Sequence, residues 1–445
     1  MDIKDKVVGS WCGMAVGDAM GLSAKSIKPE TIQQLFGSMN SFKDVRPFIG
    51  KGIKRFKMQG LYGIQTQGSL VIADCLLQNR KWNAEKTIEF LTKLSVGGPE
   101  HYLGVYRHPD KKFFQLINSL KGAAPQVTDH NPADATFLTM GIPAGLIHRD
   151  RPEIGISLNI NIGLMMSRNL CEITGLALIG YLVSRFLLLK PESEEPHHQA
   201  EEILFTAEEF CQKIQNQVEK TAPIFWNQTS ESERGLLKKS LTSLRERWGF
   251  DCDELLNWIC QNASGRHKIK ITSPAQSYVL TLLPLCLLLV LREGREFGST
   301  LTTGLNMGKE ADKIGALVGA LAGAIYGWHE IPESWRSSLV NIKEILMRGE
   351  GLFSGRFPKA AKDLYEMELG LTTKEFDVGR KYFSKTPVNF SRPTPRPKLS
   401  WEDGDNKKSI IPEKSDALNW RKFEKDKSRA KKDRRKCLKN DPADY

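Results

Sequence analysis

Apolar positions recur along this chain at spacings of three and four rather than two, the period of one face of an α-helix. The pattern predicts helices over residues 5–21, 29–36, 66–78, 84–95, 111–120, 134–148, 170–189, 199–220, 232–247, 251–262, 274–293, 296–307 and 311–327. Asn83 ahead of AEKTIEFLTKL reads as an N-cap, and Ser273 ahead of PAQSYVL as another, with proline at the first helical position. Beyond Trp335, NIKEILMRG and PKAAKDLYEMELG continue the helical pattern. Almost nothing alternates with period two, so the predicted fold class is all-α. Two segments, 173–189 and 278–291, are strongly apolar, but each falls short of the roughly 20 uninterrupted apolar residues that a bilayer core demands. Arg185 interrupts the first. Both read as buried helices of a large core, with no membrane involvement.

Near residue 385 the pattern stops. SRPTPRPKLS is proline-rich, and the sequence after it is charged with few large apolar residues, a composition that cannot bury enough surface to order itself. The predicted organisation is one large helical domain over 1–345, a helical extension over 346–385, and a disordered tail over 386–445, proline-rich and then basic.

Charge sharpens that division. The 445 residues carry a net charge of +12, and Arg421 to Lys439 alone holds eleven Lys and Arg against three acids. The tail reads either as a solvated charged segment or, over residues 391–445, as an arm for nucleic acid or an acidic protein. The eight cysteines show no CxxC and no His/Cys ligand spacing, which argues against zinc and against a disulfide framework. They read as buried free thiols of a reducing compartment. The N-terminal MDIKDKVVGSWCGMAVGDAMG lacks the layout of a secretory signal, so the predicted location is cytoplasmic. His197 and His198 lie in an acidic stretch that reads as a solvated loop, and Ser69 lacks the surroundings of a nucleophile elbow.

Two glycine ladders stand out. Gly9, Gly13, Gly17 and Gly21 repeat every fourth residue, as do Gly315, Gly319, Gly323 and Gly327. Each ladder bares one helix face to another backbone, and close helix packing is its direct cause. Asp18, Glu310 and Asp312 ride on or beside these faces, and buried carboxylates need partners or a metal.

Four ordered stretches carry a resemblance. GSWCGMAVGDAMGLSAKSIKPETIQQLFG resembles the opening of the ADP-ribosylglycohydrolase superfamily, where a helix ending G-D-A-x-G is followed by a glutamate. GLYGIQTQGSLVIADCLL resembles the second motif, G-x-Y-T-D-D-T-Q ahead of a helix. DATFLTMGIPAGL is similar to the third, G-N-G-x-x-M-R-x-x-P-x-G, and LNMGKEADKIGALVGALAGAIYGWHEIPESW to the last, N-x-G-G-D-T-D-T-I with its G-A-L-A-G-A helix and I-P-x-x-W turn. The resemblance implies an all-α domain that holds two Mg²⁺ or Mn²⁺ ions between the T-D-D and D-x-D-T elements, orienting ADP-ribose and a hydrolytic water.

Residue by residue, the chain departs from those motifs. The T-D-D triplet falls on Gly63, Ile64 and Gln65, while Tyr62, Thr66 and Gln67 are kept. In the last motif Glu310 replaces the first aspartate, Asp312 is retained and Lys313 replaces the terminal threonine. The glutamate after the first helix falls on Lys25, the third motif's arginine near Met140 and its asparagine near Ala135. Too few oxygen donors remain for a binuclear magnesium site, which needs about six hard ligands per ion. Lys25 and Lys313 are therefore predicted to stand where metal charge would be, paired with Glu310 and Asp312.

The reading is a catalytically degenerate ADP-ribosylglycohydrolase-like protein, a pseudoenzyme that binds a ligand or partner without a cofactor. Its predicted ligand-binding residues are Asp18, Lys25, Tyr62, Thr66, Gln67, Glu310, Asp312 and Lys313, and its ligand ADP-ribose or a nucleotide. The alternative is an active hydrolase removing ADP-ribose from modified side chains, with Mg²⁺ or Mn²⁺ and with Glu310 or Asp312 as general base. A third reading is a nucleic-acid-associated accessory protein acting through its basic tail.

Overall fold

The computed structural model describes residues 2–79, 82–122, 132–190, 196–292 and 294–385. Within them the chain forms eighteen α-helices and two short 3₁₀ turns, with isolated bridges but no β-strand. In chain order the first nine are α1 (Ile3–Ala24), α2 (Pro29–Phe36), α3 (Ile64–Gln78), α4 (Ala84–Lys93), α5 (Lys111–Leu120), α6 (Ile142–Ile147), α7 (Pro152–Met166), α8 (Leu170–Phe186) and α9 (Pro196–Thr221). They are followed by α10 (Pro223–Gln228), α11 (Leu236–Glu246), α12 (Cys252–His267), α13 (Val279–Leu291), α14 (Phe297–Asn306), α15 (Ala311–Tyr326), α16 (Glu333–Ser338), α17 (Ile342–Ser354) and α18 (Leu364–Lys385). No described helix is long and apolar enough to cross a membrane. The tail expected to be disordered over 386–445 lies outside the described residues.

The two glycine ladders mesh with each other at the centre of the fold. A Cβ added at Gly13 would overlap the carbonyl of Gly319, one at Gly17 the carbonyl of Gly315, and one at Gly21 the carbonyl of Ala311. Residue numbers rise on one helix as they fall on the other, so α1 and α15 run antiparallel with their backbones in contact. That geometry brings the C-terminal end of α1 beside the N-terminal end of α15, where Lys25, Glu310, Asp312 and Lys313 lie. Trp11 donates its indole N–H to the carbonyl of Ile345 at 3.0 Å, which fastens α17 to α1. Residue 345 lies inside α17, so the helical extension begins within an element of the core, and Met1–Pro387 forms one compact unit.

Several boundaries differ from the sequence pattern, each for a tertiary reason. The helix expected over 274–293 starts at Val279: Gln276 Oε1 takes the amides of Thr272 and Ser273 at 2.8 and 3.1 Å, and Val279 N reaches Ala133 O at 2.9 Å. Ser273 therefore caps a turn, accepting from Ala275 N at 3.2 Å, rather than a helix. The same bridge between Asp134 and Tyr278 keeps 134–137 out of helical geometry, so the helix expected over 134–148 resolves into a 3₁₀ turn, Leu138–Gly141, and α6. The sequence reading misses α7, because Asn159 and Gly163 interrupt its apolar stripe. Asn159 is spent on Gly141 O at 3.0 Å and Gly163 abuts Ile173 of α8. Helix α9 begins at Pro196, so His197 and His198 fall in its first turn, not in a loop. Cys12, Cys75, Cys171, Cys211 and Cys286 are buried, and Cys252 and Cys260 are partly exposed.

Candidate functional site

Ion pairing dominates the junction of α1 and α15. Lys25, the C-cap of α1, donates from Nζ to Asp312 Oδ2 at 2.7 Å and to the carbonyl of His108 at 3.3 Å. Lys313 Nζ lies 2.9 Å from Asp110 Oδ2, 3.0 Å from Glu310 Oε2, 3.9 Å from Asp134 Oδ1 and 2.5 Å from Ser277 Oγ. Thr136 Oγ1 ties the two aspartates together, donating toward Asp110 Oδ2 at 2.8 Å and Asp134 Oδ1 at 2.5 Å. The side chains of Lys313 and Asp312 are 2% and 0% exposed, whereas Lys25, Asp110, Asp134 and Glu310 keep 14–26% exposure and form the accessible face of the cluster.

The charges tune one another. Burial alone would neutralise these groups, but Lys313 and then Lys25 outweigh it at Asp110 and hold that carboxyl at about 2. Burial likewise works against charge on Lys313, and Asp110, Asp134, Glu310 and Asp312 together hold its pKa well above the usual lysine value. Asp312 is kept below the ordinary carboxylate range, because Lys25 and Lys313 overcome its burial. Lys57, whose Nζ donates to the carbonyl of Leu22 at the end of α1, is lowered by burial to about 8.

Asp18 has a different partner set. Its Oδ2 accepts from Gly63 N at 3.0 Å, Thr66 N at 2.9 Å and Thr66 Oγ1 at 2.8 Å. Gly63 is the N-cap of α3, so Asp18 supplies from another helix the capping carboxylate that this N-terminus lacks locally. Burial, and then the charge of Asp312, push Asp18 up to about 7. The remaining oxygens, Asp18 Oδ1 and Asp312 Oδ1, are both buried without a hydrogen-bond partner.

Positions 63–65, where oxygen donors would be needed, offer few. Gly63 gives its amide to Asp18, Ile64 is 1% exposed and purely apolar, and Gln65 accepts through Oε1 from Thr139 Oγ1 at 3.1 Å. Among the described residues no group of three or more His, Cys, Asp or Glu side chains is arranged to hold a metal ion.

Tyr62 and Gln67 lie in a separate buried network. Tyr62 Oη donates to Glu368 Oε1 at 2.7 Å and Gln67 Nε2 to Glu368 Oε2 at 2.6 Å. Arg107 completes it, 2.7 Å from Glu368 and stacked over the Tyr62 ring with its guanidinium carbon 4.9 Å from the centroid. Next on α18, Glu375 accepts from Met58 N at 2.8 Å and Tyr102 Oη at 3.0 Å and pairs with His108 at 3.1 Å. His108 is the residue whose carbonyl receives Lys25, so α18 underpins the rim of the lysine cluster.

Against this geometry, comparison with known proteins is decisive on kinship. The family model for ADP-ribosylglycohydrolase matches residues 1–369. The chain belongs to the ADP-ribosylglycohydrolase family. Among solved structures it is similar to one titled "ADP-ribosylglycohydrolase-related protein complex", at 18% identity and a TM-score of 0.51, covering 80% of this chain and 99% of that one. Such a likeness speaks to the fold alone. A search of curated proteins finds no match.

Within this family member, sequence reasoning missed Asp110, Asp134, Ser277 and Lys57 as neighbours of the cluster. Asp110 had a visible signal, an aspartate directly ahead of KKFFQLINSL, and it does cap α5 by accepting from Phe113 N at 3.0 Å. Its second role, as a partner of Lys313, depends on packing 203 residues apart in sequence and left no local trace. Met140, near the third motif's arginine position, is buried against Gly68 of α3, and Ala135 is buried beside Asp134.

Proposed function

We propose that this chain is a catalytically degenerate ADP-ribosylglycohydrolase-like protein, a helical scaffold that binds a ligand or partner without metal-dependent turnover. ADP-ribose or a nucleotide is the small ligand, its phosphates meeting Lys25 and its ribose hydroxyls donating to the carboxylates of Asp110, Asp134 and Glu310. The observation that carries this reading is the pair of ammonium groups among the carboxylates, Lys25 at 2.7 Å from Asp312 and Lys313 at 2.9 Å from Asp110. A divalent ion entering here must break both pairs and finds an isoleucine and a glycine where the family's T-D-D motif supplies oxygens. The donor set does not fit a binuclear Mg²⁺ or Mn²⁺ centre, and no step is assigned to one. The protein works without a cofactor, in the cytoplasm.

A second reading, a working hydrolase that removes ADP-ribose from modified side chains, is favoured by one feature. Asp18 Oδ1 and Asp312 Oδ1 are buried without partners, and a carboxyl with a pKa of about 7 is suited to general-base work. One experiment separates the two: release of ADP-ribose from an ADP-ribosylated protein, with and without added Mg²⁺, beside calorimetry of ADP-ribose and of Mg²⁺. The scaffold reading expects ADP-ribose binding in EDTA, no saturable heat with Mg²⁺ and no release at high protein concentration. Release that Mg²⁺ stimulates and Asp312→Ala abolishes would establish the hydrolase instead. The arm for nucleic acid or acidic protein over 391–445 is a further proposal on residues outside those described, tested by truncating them and following the salt dependence of binding.

A further inference from the structure

The segment between α2 and α3 carries six Lys or Arg over residues 43–57, namely Lys43, Arg46, Lys51, Lys54, Arg55 and Lys57, against one acid, Asp44. Asp44 is already paired with Arg46 at 2.8 Å. The segment is pinned rather than loose. Tyr382 Oη donates to Arg46 O at 2.8 Å, Met58 N to Glu375 Oε1 at 2.8 Å and Gln59 Nε2 to Phe42 O at 2.8 Å. The Phe56 ring lies against Gly379 of α18, where even a Cβ would press on it at 2.9 Å. These contacts hold the loop that carries the exposed Lys51, Lys54 and Arg55 against α18, whose Lys374, Arg380 and Lys381 are also exposed. On α18, Glu375 is buried on His108, and Asp377 pairs with Arg380 at 3.3 Å. Among the described residues Lys51, Lys54, Arg55, Lys374 and Lys381 enter no ion pair.

We infer that this surface is a docking site for a nucleic-acid strand, held through its phosphates. Fixed cations without internal counter-charges repel one another, and a partner with closely spaced negative charges relieves that repulsion and releases its own counterions. An anionic membrane is the other polyanion to consider, but a surface-bound segment needs exposed apolar side chains to insert. Here Phe48 and Phe56 face inward, Phe48 packing its ring 5.1 Å from Phe36 and Phe56 on Gly379. Phe383 is the sole large apolar side chain of α18 that is strongly exposed, at 41%. Tyr382 lies beside it, ring centroids 5.4 Å apart, and is held on the loop through Arg46 O.

The test is fluorescence anisotropy of a labelled 20-nucleotide oligouridylate with the full chain at 50, 100 and 200 mM KCl. The variant Lys51→Glu/Lys54→Glu/Arg55→Glu is compared with wild type and with the tail variant Lys431→Glu/Lys432→Glu/Arg434→Glu/Arg435→Glu. All three loop residues are exposed, so an unchanged thermal midpoint certifies the fold. The loop variant is expected to bind at least about 10-fold more weakly at 100 mM KCl, with the log–log salt slope shallower by about 2 units, as loss of three single-strand phosphate contacts requires. Binding within two-fold of wild type at an unchanged slope overturns the inference. So does absence of oligouridylate binding at 50 mM KCl, or capture by phosphatidylserine vesicles alone.

Discussion

Lys25 Nζ sits 2.7 Å from Asp312 Oδ2, joining the C-cap of α1 to the first turn of α15. Both ends of that bond are held by the glycine interlock, because α1 and α15 cannot slide without driving backbone into backbone. The pair is also asymmetric in its setting, with Asp312 fully buried and Lys25 at the edge of solvent. A buried carboxylate in that position needs a positive neighbour, and the lysine meets the need from within the chain.

Removing the lysine alone is therefore expected to hurt more than removing the pair. Lys25→Met leaves Asp312 charged and dry, at a cost of about 3–5 kcal/mol, the usual penalty for an orphaned buried ion. Lys25→Met/Asp312→Leu removes both charges and is expected to recover most of that loss. Urea unfolding of the two variants checks the claim, and a double variant no more stable than Lys25→Met would show that the pair is not the main link.

Asp18 gives a pH signature of the opposite kind. Burial and Asp312 raise its carboxyl to about 7 in the folded chain, against about 3.9 unfolded. The folded state binds the proton more tightly, so the contribution of Asp18 is present in full below about pH 4 and is lost as pH rises through 7. Asp18→Asn keeps the oxygen that accepts from Gly63 and Thr66 and removes the titration. Between pH 5 and 7 wild type is expected to lose stability relative to the variant by up to about 1.4 kcal/mol per pH unit. Asp110 and Glu375, each held at about 2, act only in more acid solution. Parallel pH profiles for the two proteins would refute the assignment.

How legible all this is in sequence depends on whether the cause is local. The helices α2 and α5 and the cap at Asn83 follow from residues within one or two turns, and the structure has them where the pattern puts them, Asn83 accepting from Lys86 N at 2.9 Å. The start of α13 does not, because the bond that keeps Tyr278 extended comes from Ala133. Lys25 and Lys313 could be aimed at Asp312 and Glu310 because the motif order fixes which segments meet. Asp110 and Asp134 could not be aimed at Lys313, since no motif position names them. Tyr62 and Gln67 look alike with Thr66 in sequence, yet helical geometry turns Thr66 toward Asp18 and Gln67 toward Glu368.

The glycine interlock makes its own quantitative claim. Gly17→Ala forces a methyl group onto the Gly315 carbonyl, a backbone atom with nowhere to go, and is expected to destabilise by about 3 kcal/mol. Gly265→Ala in α12, where a Cβ meets nothing within 4 Å, is the control and is expected to stabilise by about 0.5–1 kcal/mol. Thermal melts of both variants decide whether the ladder is a packing device. Equal behaviour of the two would mean that α1 and α15 are not locked as described.

The replacement of metal charge by ammonium can be run backwards. Lys25→Glu, Gly63→Thr, Ile64→Asp, Gln65→Asp and Lys313→Thr together restore the family's oxygen donors at the positions where this chain departs from them. Those changes remove two cations, the buried Lys313 and the half-buried Lys25, and add three carboxylates, so the variant without metal carries strong self-repulsion around Asp312 and should melt well below wild type. A divalent ion relieves that repulsion and binds only the folded state, so millimolar Mg²⁺ is expected to raise the variant's melting temperature by several degrees, in line with about 2–3 kcal/mol of ligand-linked stability. Wild type is expected to show no such shift, because any ion must first displace Lys25 from Asp312 and Lys313 from Asp110 and Glu310. A Mg²⁺-dependent shift in wild type that Glu310→Gln/Asp312→Asn removes would mean that the lysines share the site with metal rather than replace it.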